Sequence, residues 1–327
     1  MAFNPSVNFL VKRTLISVLI FIFVINLVFF LPRLVPGSAA DILASSFHLP
    51  SQAVILISER LGLNQPLSQQ YFTYLRNMFT TFPPYFGVSY LYYPSTVSDL
   101  FAVRIPWSLM LMLVSIFLGF FLAYVMTRFT STRRGGKLEA TTLYASIALN
   151  SVPVFWLAMI LLLIFSIDLR LFPVFGNVDV TTTGVDYYMS VISHAILPII
   201  CLTLPLFGSN YLILRGSTQE VLGSDYVTAA KLRGLKDGKL ASRYIVRNSL
   251  LPLVSVTAFS LASLISRLIL VEAVFGYPGV GDLLVDAVVS RDYPVLEGSL
   301  FYLTVMILVG GLIGDYLLTR LDPRLRT

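Results

Sequence analysis

The sequence is poor in charged residues, cysteine and histidine. Only 12% of its 327 residues are Asp, Glu, Lys or Arg, whereas a soluble globular protein carries about 25%. Since 56% of the residues are apolar, this composition excludes both a disordered chain and an ordinary soluble enzyme. The one cysteine, Cys201, cannot form an internal disulfide. The two histidines, His48 and His194, lie far apart without a Cys/His cluster, so no metal site is predicted.

Motifs for nucleotide binding and for hydrolysis are also absent. Gly136-Lys137 and Gly238-Lys239 are both followed by Leu and do not complete a phosphate-binding loop. The chain has no HExxH and no G-x-S-x-G elbow, although a Ser-His-Asp arrangement built in space stays open. We therefore predict no catalytic residue and no cofactor on this chain.

Long apolar runs are what the sequence has instead. Crossing about 30 Å of hydrocarbon takes about 20 mostly apolar residues, and the sequence contains six apolar runs of about this length. We therefore predict an all-α membrane protein with about six spans. They lie near Thr14–Leu31, Trp107–Thr127, Thr141–Ile167, Ser190–Leu214, Leu250–Phe275 and Val295–Thr319.

The distribution of positive charge predicts the orientation. If both termini are cytoplasmic, 16 of the 23 Lys and Arg residues lie inside, 6 lie outside and Arg267 lies within a span. Cytoplasmic loops carry such an excess of Lys and Arg. The net charge of +6 is thereby explained by topology rather than by nucleic-acid binding. We expect a multi-pass protein of the plasma or inner membrane.

Two loops are long enough to carry function. The outer loop, about 32–106, has helical character over Ser51–Phe82. It then carries an aromatic tract, which is either an interfacial belt or a docking or substrate-facing surface. The members of this aromatic tract are Tyr85, Phe86, Tyr90, Tyr92 and Tyr93.

The inner loop, about 215–249, is predicted to form two short helices broken by Gly234 and Gly238. Ser224 and Asp225 favour a helix start, and Gly234 favours a stop in a left-handed conformation. Helical spacing predicts one contact face formed by Tyr226, Ala229, Ala230 and Arg233. The small alanines would let another protein come close. The alternative is a basic helix lying on anionic lipid.

One ionisable residue is predicted to lie deep in the membrane. Arg267 is about eight residues from the outer end of the fifth span, hence about 12 Å deep, and an intramembrane charge is a candidate functional group. Glu272 is five positions on and makes a poor intrahelical partner. Arg267 therefore either lines a path or meets a structural partner.

Several segments together resemble one family. Residues 225–235 followed by 247–252 are similar to the cytoplasmic EAA loop of permease subunits of ABC importers, in the form found in the oligopeptide and dipeptide family. Further agreement lies at residues 34–37, 61–67, 151–157, 271–281, 291–294 and 321–324. The resemblance covers nearly the whole chain, in order, and is to the permease with the long first outer loop. The chain departs from the family pattern at several positions. Thr228 replaces the EAA glutamate, Ser38 replaces an aspartate, and Arg267 replaces a small apolar residue.

The resemblance implies a single permease domain over 1–327 that performs no covalent chemistry. It implies a second permease subunit, two ATP-binding cassette ATPases that hold ATP and Mg, and an extracytoplasmic binding protein. The implied contacts with the ATPase are Tyr226, Ala229, Ala230, Lys231, Arg233, Gly234 and Leu235. The predicted path residues are Arg267, chosen for its depth, together with Glu272, Pro153 and Trp156.

The sequence alone does not identify the substrate, and it leaves two other functions possible. Members of this family carry peptides or, in some cases, oligosaccharides. A secondary transporter or channel would need coupling carboxylates at mid-membrane, where only Arg267 is expected. A membrane-embedded enzyme is the third alternative, and the missing motifs disfavour it.

Overall fold

The computed structural model describes residues 5–34, 52, 55–56, 59, 62–131, 135–179, 182–235 and 237–321. Over these ranges every regular element is a helix, with one isolated bridge between Val88 and Thr96 and no strand. The all-α prediction is confirmed. The helices are α1 Pro5–Leu34, α2 Leu67–Thr80, α3 Val97–Thr130, α4 Lys137–Ser151, α5 Val154–Leu161, α6 Val185–Leu222, α7 Asp225–Leu232, α8 Arg247–Phe275, α9 Val280–Ser290 and α10 Tyr293–Leu321.

Four of these helices contain single segments long and apolar enough to cross a membrane. These segments are Val11–Leu34, Val97–Thr130, Val185–Leu222 and Tyr293–Gly314. Two bent pairs of helices raise the number of candidate spans to six within the described ranges. The structure thus agrees with about six predicted spans, although two of them are not straight rods.

The third predicted span, Thr141–Ile167, is two helices rather than one. α4 ends at Ser151, and the axis turns by 101° before α5 and its π-helical continuation Leu162–Asp168. The turn follows from Pro153, which disfavours a helical conformation in the residue before it. Val152 is accordingly extended, with φ −82° and ψ 126°.

A helix absent from the sequence prediction follows α8. Gly276 ends α8 in the left-handed conformation, with φ 51°. The chain then bends by 73° into α9. One face of α9 is buried through Val280, Leu283 and Ala287. With 11 residues α9 is too short to register as a span, which explains its omission.

The chain divides into two compact units. The large unit comprises residues 1–14, 109–277 and 309–327. Within it α6 packs against α4 and α8. The close approach of helices to α6 depends on two glycines. A Cβ at Gly208 of α6 would lie 2.8 Å from the carbonyl oxygen of Ser146 on α4, and a Cβ at Gly119 of α3 would lie 2.8 Å from Leu206 Cβ on α6.

The small unit comprises residues 15–108 and 278–308. Its centre is aromatic, built around Phe29, Tyr74, Phe86 and Phe101, each at most 8% exposed. Phe86 belongs to the aromatic tract of the outer loop, and its ring centroid lies 5.2 Å from that of Phe301. Part of the tract is therefore core, whereas Tyr93 remains 75% exposed.

Candidate functional site

Helix α7 starts at the position that the sequence predicts. The carbonyl oxygen of Ser224 accepts hydrogen bonds from the amides of Val227, at 3.1 Å, and Thr228, at 3.3 Å. The Ser224 hydroxyl donates back to the carbonyl of Val221 instead of capping the helix. Asp225 lies in the first turn, where the helix dipole stabilises a negative charge.

An apolar cluster fixes α7 to the segment that leads into α8. Val227 and Ala230 project from α7, and Leu240 and Ile245 from the following helical turns. All four are at most 3% exposed. Since buried apolar area is the main source of stability here, this cluster determines which face of α7 points outward.

The end of α7 is a Schellman-type stop. Gly234 adopts φ +76°, and the Leu235 amide donates to the Ala230 carbonyl at 3.4 Å. Half-buried Leu235 also packs against the apolar cluster. The prediction of a left-handed Gly234 is confirmed. The predicted break at Gly238 is wrong, because Gly238 lies inside the short helix Asp237–Lys239.

The outward face of α7 differs from the predicted contact face at one position. Tyr226, Ala229 and Arg233 are exposed as predicted, but Ala230 is only 3% exposed and faces the chain's own cluster. The side chain of Lys231 lies outside the described residues. The most exposed apolar side chain here is Leu232, at 85%.

Leu232 was missed by sequence reasoning, although a signal exists. It lies three residues after Ala229, so the two share a face. A leucine this exposed can add binding energy wherever a partner protein removes it from water. Ala229, Leu232 and their flanking residues Tyr226 and Arg233 are called the α7 face below.

An ion pair braces the helix that leads into α7. Arg215 of α6 contacts Glu139 of α4, with Nη2 2.9 Å and Nε 3.0 Å from Oε1. The second carboxylate oxygen of Glu139 accepts from the Gly135 amide at 2.8 Å. The last turns of α6, and with them the start of α7, are thereby tied to α4.

The predicted path residues lie on two helices that contact each other, α5 and α8. Pro153 precedes α5 and is exposed, while Trp156 is 53% exposed. Arg267 on α8 is half-buried. Glu272 is completely buried. Their predicted role in a path remains a prediction.

The structure brings one serine, one histidine and one aspartate together without forming a catalytic triad. The Ser190 hydroxyl donates to Asp179 Oδ2 at 3.0 Å. His194 Nδ1 lies 2.8 Å from the carbonyl oxygen of Ser190, against 3.5 Å from its hydroxyl. In a triad the histidine would accept the serine proton, so this arrangement is a structural network. Among the described residues, no group of three or more His, Cys, Asp or Glu could hold a metal.

In the small unit, Asp292 joins the aromatic tract to the start of α10. Its Oδ2 accepts from the Ser89 hydroxyl and from the amides of Tyr90, at 2.9 Å, and Leu91, at 3.0 Å. Its Oδ1 accepts from the Val295 amide at 3.3 Å. Asp292 belongs to one of the segments that carry the family resemblance, residues 291–294.

The apolar helices and the two bent helix pairs fit a transport permease of the membrane. Comparison with protein families agrees. Residues 115–327 match the family described as "Binding-protein-dependent transport system inner membrane component". Residues 6–111 match the corresponding N-terminal family. The chain belongs to this family of inner-membrane permease components, and the predicted resemblance is confirmed.

Individual relatives cover almost the full length. The chain is 30% identical over 317 residues to the oligopeptide transport system permease protein AppB of Bacillus subtilis. These residues cover 97% of this chain and 98% of the relative. The chain is 29% identical over 320 residues to the dipeptide transport system permease protein DppB of Lactococcus lactis, spanning 98% and 99%. It is 28% identical over 339 residues to the dipeptide permease DppB of Escherichia coli, spanning 98% of each.

Proposed function

We propose that this chain forms half of the path of an ATP-driven importer for dipeptides or oligopeptides. The family match over residues 6–111 and 115–327 carries the proposal. The three relatives described above are named as oligopeptide or dipeptide permeases, which favours peptides over oligosaccharides.

The α7 face is the surface that receives the ATPase in this proposal. Its exposed Leu232 and Tyr226 supply apolar area, and its inner side is fixed by Val227 and Ala230. A rigidly held face transmits movement better than a flexible loop. ATP and Mg bind on the ATPase subunits, which agrees with the absence of a phosphate-binding loop in this sequence.

The proposed assembly contains a second permease, two ATPases and an extracytoplasmic binding protein. The charge bias of 16 against 6 supports a cytoplasmic location of α7 and of both termini in this proposal. The rival function of a membrane-embedded enzyme has no support from the site, because the Ser190 network is not a triad.

Uptake by the reconstituted assembly tests the function. The five-component system is placed in proteoliposomes with internal ATP, and entry of radiolabelled trialanine is compared with that of labelled maltotriose. We expect uptake of trialanine that needs ATP, the ATPases and the binding protein. Uptake without the ATPases would establish a secondary transporter or channel, and uptake of maltotriose alone would establish an oligosaccharide importer.

A further inference from the structure

A polar cavity of about 420 Å³ lies within the small unit. Ligand pockets of proteins are about 300–1,000 Å³, so it can hold a group the size of a few amino-acid residues. Its walls come from the last turn of α1, from α2, from the aromatic tract and from the first turn of α10. The polar side chains that line the cavity include Arg33, Gln70, Tyr74, Tyr90 and Glu297.

Arg33 is fixed in place but keeps two donors unused. Its Nη1 donates to the carbonyl of Phe29, at 2.7 Å, and to Glu297 Oε1, and its Nε lies 3.3 Å from Gln70 Oε1. The Phe29 ring lies 3.7 Å below the guanidinium carbon. A guanidinium has five N–H donors. The two on Nη2 have no partner among the residues that the structure describes.

Two buried side chains of the cavity also keep unused polar atoms. Tyr74 is 8% exposed, and its buried hydroxyl has no partner in the described part of the chain. Glu297 is 5% exposed and uses only Oε1, for Arg33. Burial, and then the charge of Glu297, raise the pKa of Tyr74, and the pKa of Tyr90 is raised in the same way. Both phenols therefore stay protonated and can donate.

A buried hydroxyl without a partner, such as that of Tyr74, costs about 1–3 kcal/mol, and a ligand that supplies the partner recovers this cost. Arg33 and Glu297 neutralise each other, and a ligand with net charge would leave that charge unpaired. Glu59 also lines the cavity but is exposed, so water compensates its charge. The fitting ligand is neutral, with acceptors for Arg33 and the phenols and a donor for Glu297.

A peptide backbone has this chemistry, since each amide offers one carbonyl acceptor and one N–H donor. We propose that this cavity binds backbone amides of the substrate peptide, with carbonyls on Arg33 Nη2 and Tyr74 and an amide N–H on Glu297. The inference rests on the proposed function, because it names where within the permease the imported peptide binds.

Protection of a cysteine from labelling tests the site directly. In a Cys201→Ser background, Thr73→Cys places a thiol at an exposed position that lines the cavity, and Gln69→Cys places one at an exposed position of the same helix outside it. The purified assembly in detergent is labelled with a fluorescent maleimide, with and without trialanine. We expect trialanine to slow labelling at position 73 at least threefold and to leave position 69 unchanged.

Removal of single hydroxyls gives the second readout. Tyr74→Phe keeps the ring and removes the unpartnered hydroxyl, so the trialanine concentration for half-protection should rise about fivefold to tenfold. If this variant does not fold, Tyr90→Phe takes its place with the same expectation. An unchanged half-protection concentration in the folded variant would overturn the assignment.

The outcomes separate this site from the proposed function. ATP-driven uptake of trialanine without any protection at position 73 would overturn the site and leave the importer intact. Protection by maltotriose but not by trialanine would overturn the peptide assignment. Absence of both trialanine uptake and protection would refute the proposed function together with the site.

Discussion

Two neighbouring substitutions on α7 should act in different ways, although both add a carboxylate. Leu232 is 85% exposed and Ala230 is 3% exposed. Leu232→Asp changes only surface in the isolated permease, where such changes stay within about 0.5 kcal/mol. Ala230→Glu places a carboxylate among Val227, Leu240 and Ile245, which costs several kcal/mol without a partner.

The effect on ATPase binding follows from burial of Leu232 in the assembly. A leucine that becomes fully buried contributes about 1.5–3 kcal/mol. Leu232→Asp loses this and should weaken ATPase binding by roughly 10- to 100-fold. Leu232→Met keeps the apolar volume and serves as the control, with binding close to that of the unmodified chain.

Two measurements check this pair of substitutions. The affinity of the ATPases for the detergent-solubilised permease pair is determined for each variant, and limited proteolysis reports whether the loop stays folded. We expect Leu232→Asp to resist cleavage like the unmodified chain but to bind poorly, and Ala230→Glu to be cleaved near α7. Normal ATPase binding by Leu232→Asp would mean that the α7 face is not the docking surface, and the lipid-surface alternative would then be preferred.

Three further predictions concern topology, packing and the path. Single cysteines at Lys239 and Gln69 in a Cys201→Ser background should react with an impermeant maleimide from opposite sides of the membrane, and reaction of both from outside would refute the six-span orientation. Gly298→Ala should cost about 1–3 kcal/mol of stability and lower the thermal midpoint of unfolding, because the added Cβ would lie 2.5 Å from Val97 Cγ1. Gly311→Ala on the same helix is the control: its Cβ enters open space, so the thermal midpoint should not fall. Arg267→Ala should leave the assembly intact but raise the KM for trialanine uptake about tenfold, the loss expected for one hydrogen bond to a charged group; failure to assemble would instead show a structural role.

Prolines show how far the sequence could predict the helices. Pro198 and Pro205 lie inside the continuous helix α6, whereas Pro153 separates α4 from α5 by a turn of 101°. All three have the same effect on the local backbone: each removes an N–H and crowds the preceding turn. Neighbouring helices decide the outcome in a membrane protein, and the neighbours are not visible in the local sequence.

The same reasoning explains the error at Ala230. Helical spacing correctly places Tyr226, Ala229 and Arg233 on exposed positions. It cannot determine whether Ala230, at the edge of that face, is exposed or buried. Ala230 is buried because Leu240 and Ile245, which follow the left-handed turn at Gly234, pack against it. Tertiary contacts of this kind carry no periodic signal, whereas the left-handed Gly234 itself was predictable from local chemistry.

The cavity of the small unit was beyond prediction for a related reason. Arg33 and Glu297 are 264 residues apart, and each lies near the end of an apolar run. Sequence position therefore suggests an interfacial charge. Their pairing depends on α1 and α10 meeting in space, which only the fold determines.

The absence of a break at Gly238 has a mechanical consequence. From Asp237 through the π-helical turns Leu240–Val246 to Phe275 the backbone is continuously helical, over a contour of about 55 Å at about 1.5 Å per residue. Because Val227 and Ala230 pack against Leu240 and Ile245 in the first turns of this helical segment, we expect α7 to move together with these turns rather than as a flexible tether. In the proposed importer, a movement imposed on α7 would therefore reach the helix on which Arg267 and Glu272 lie.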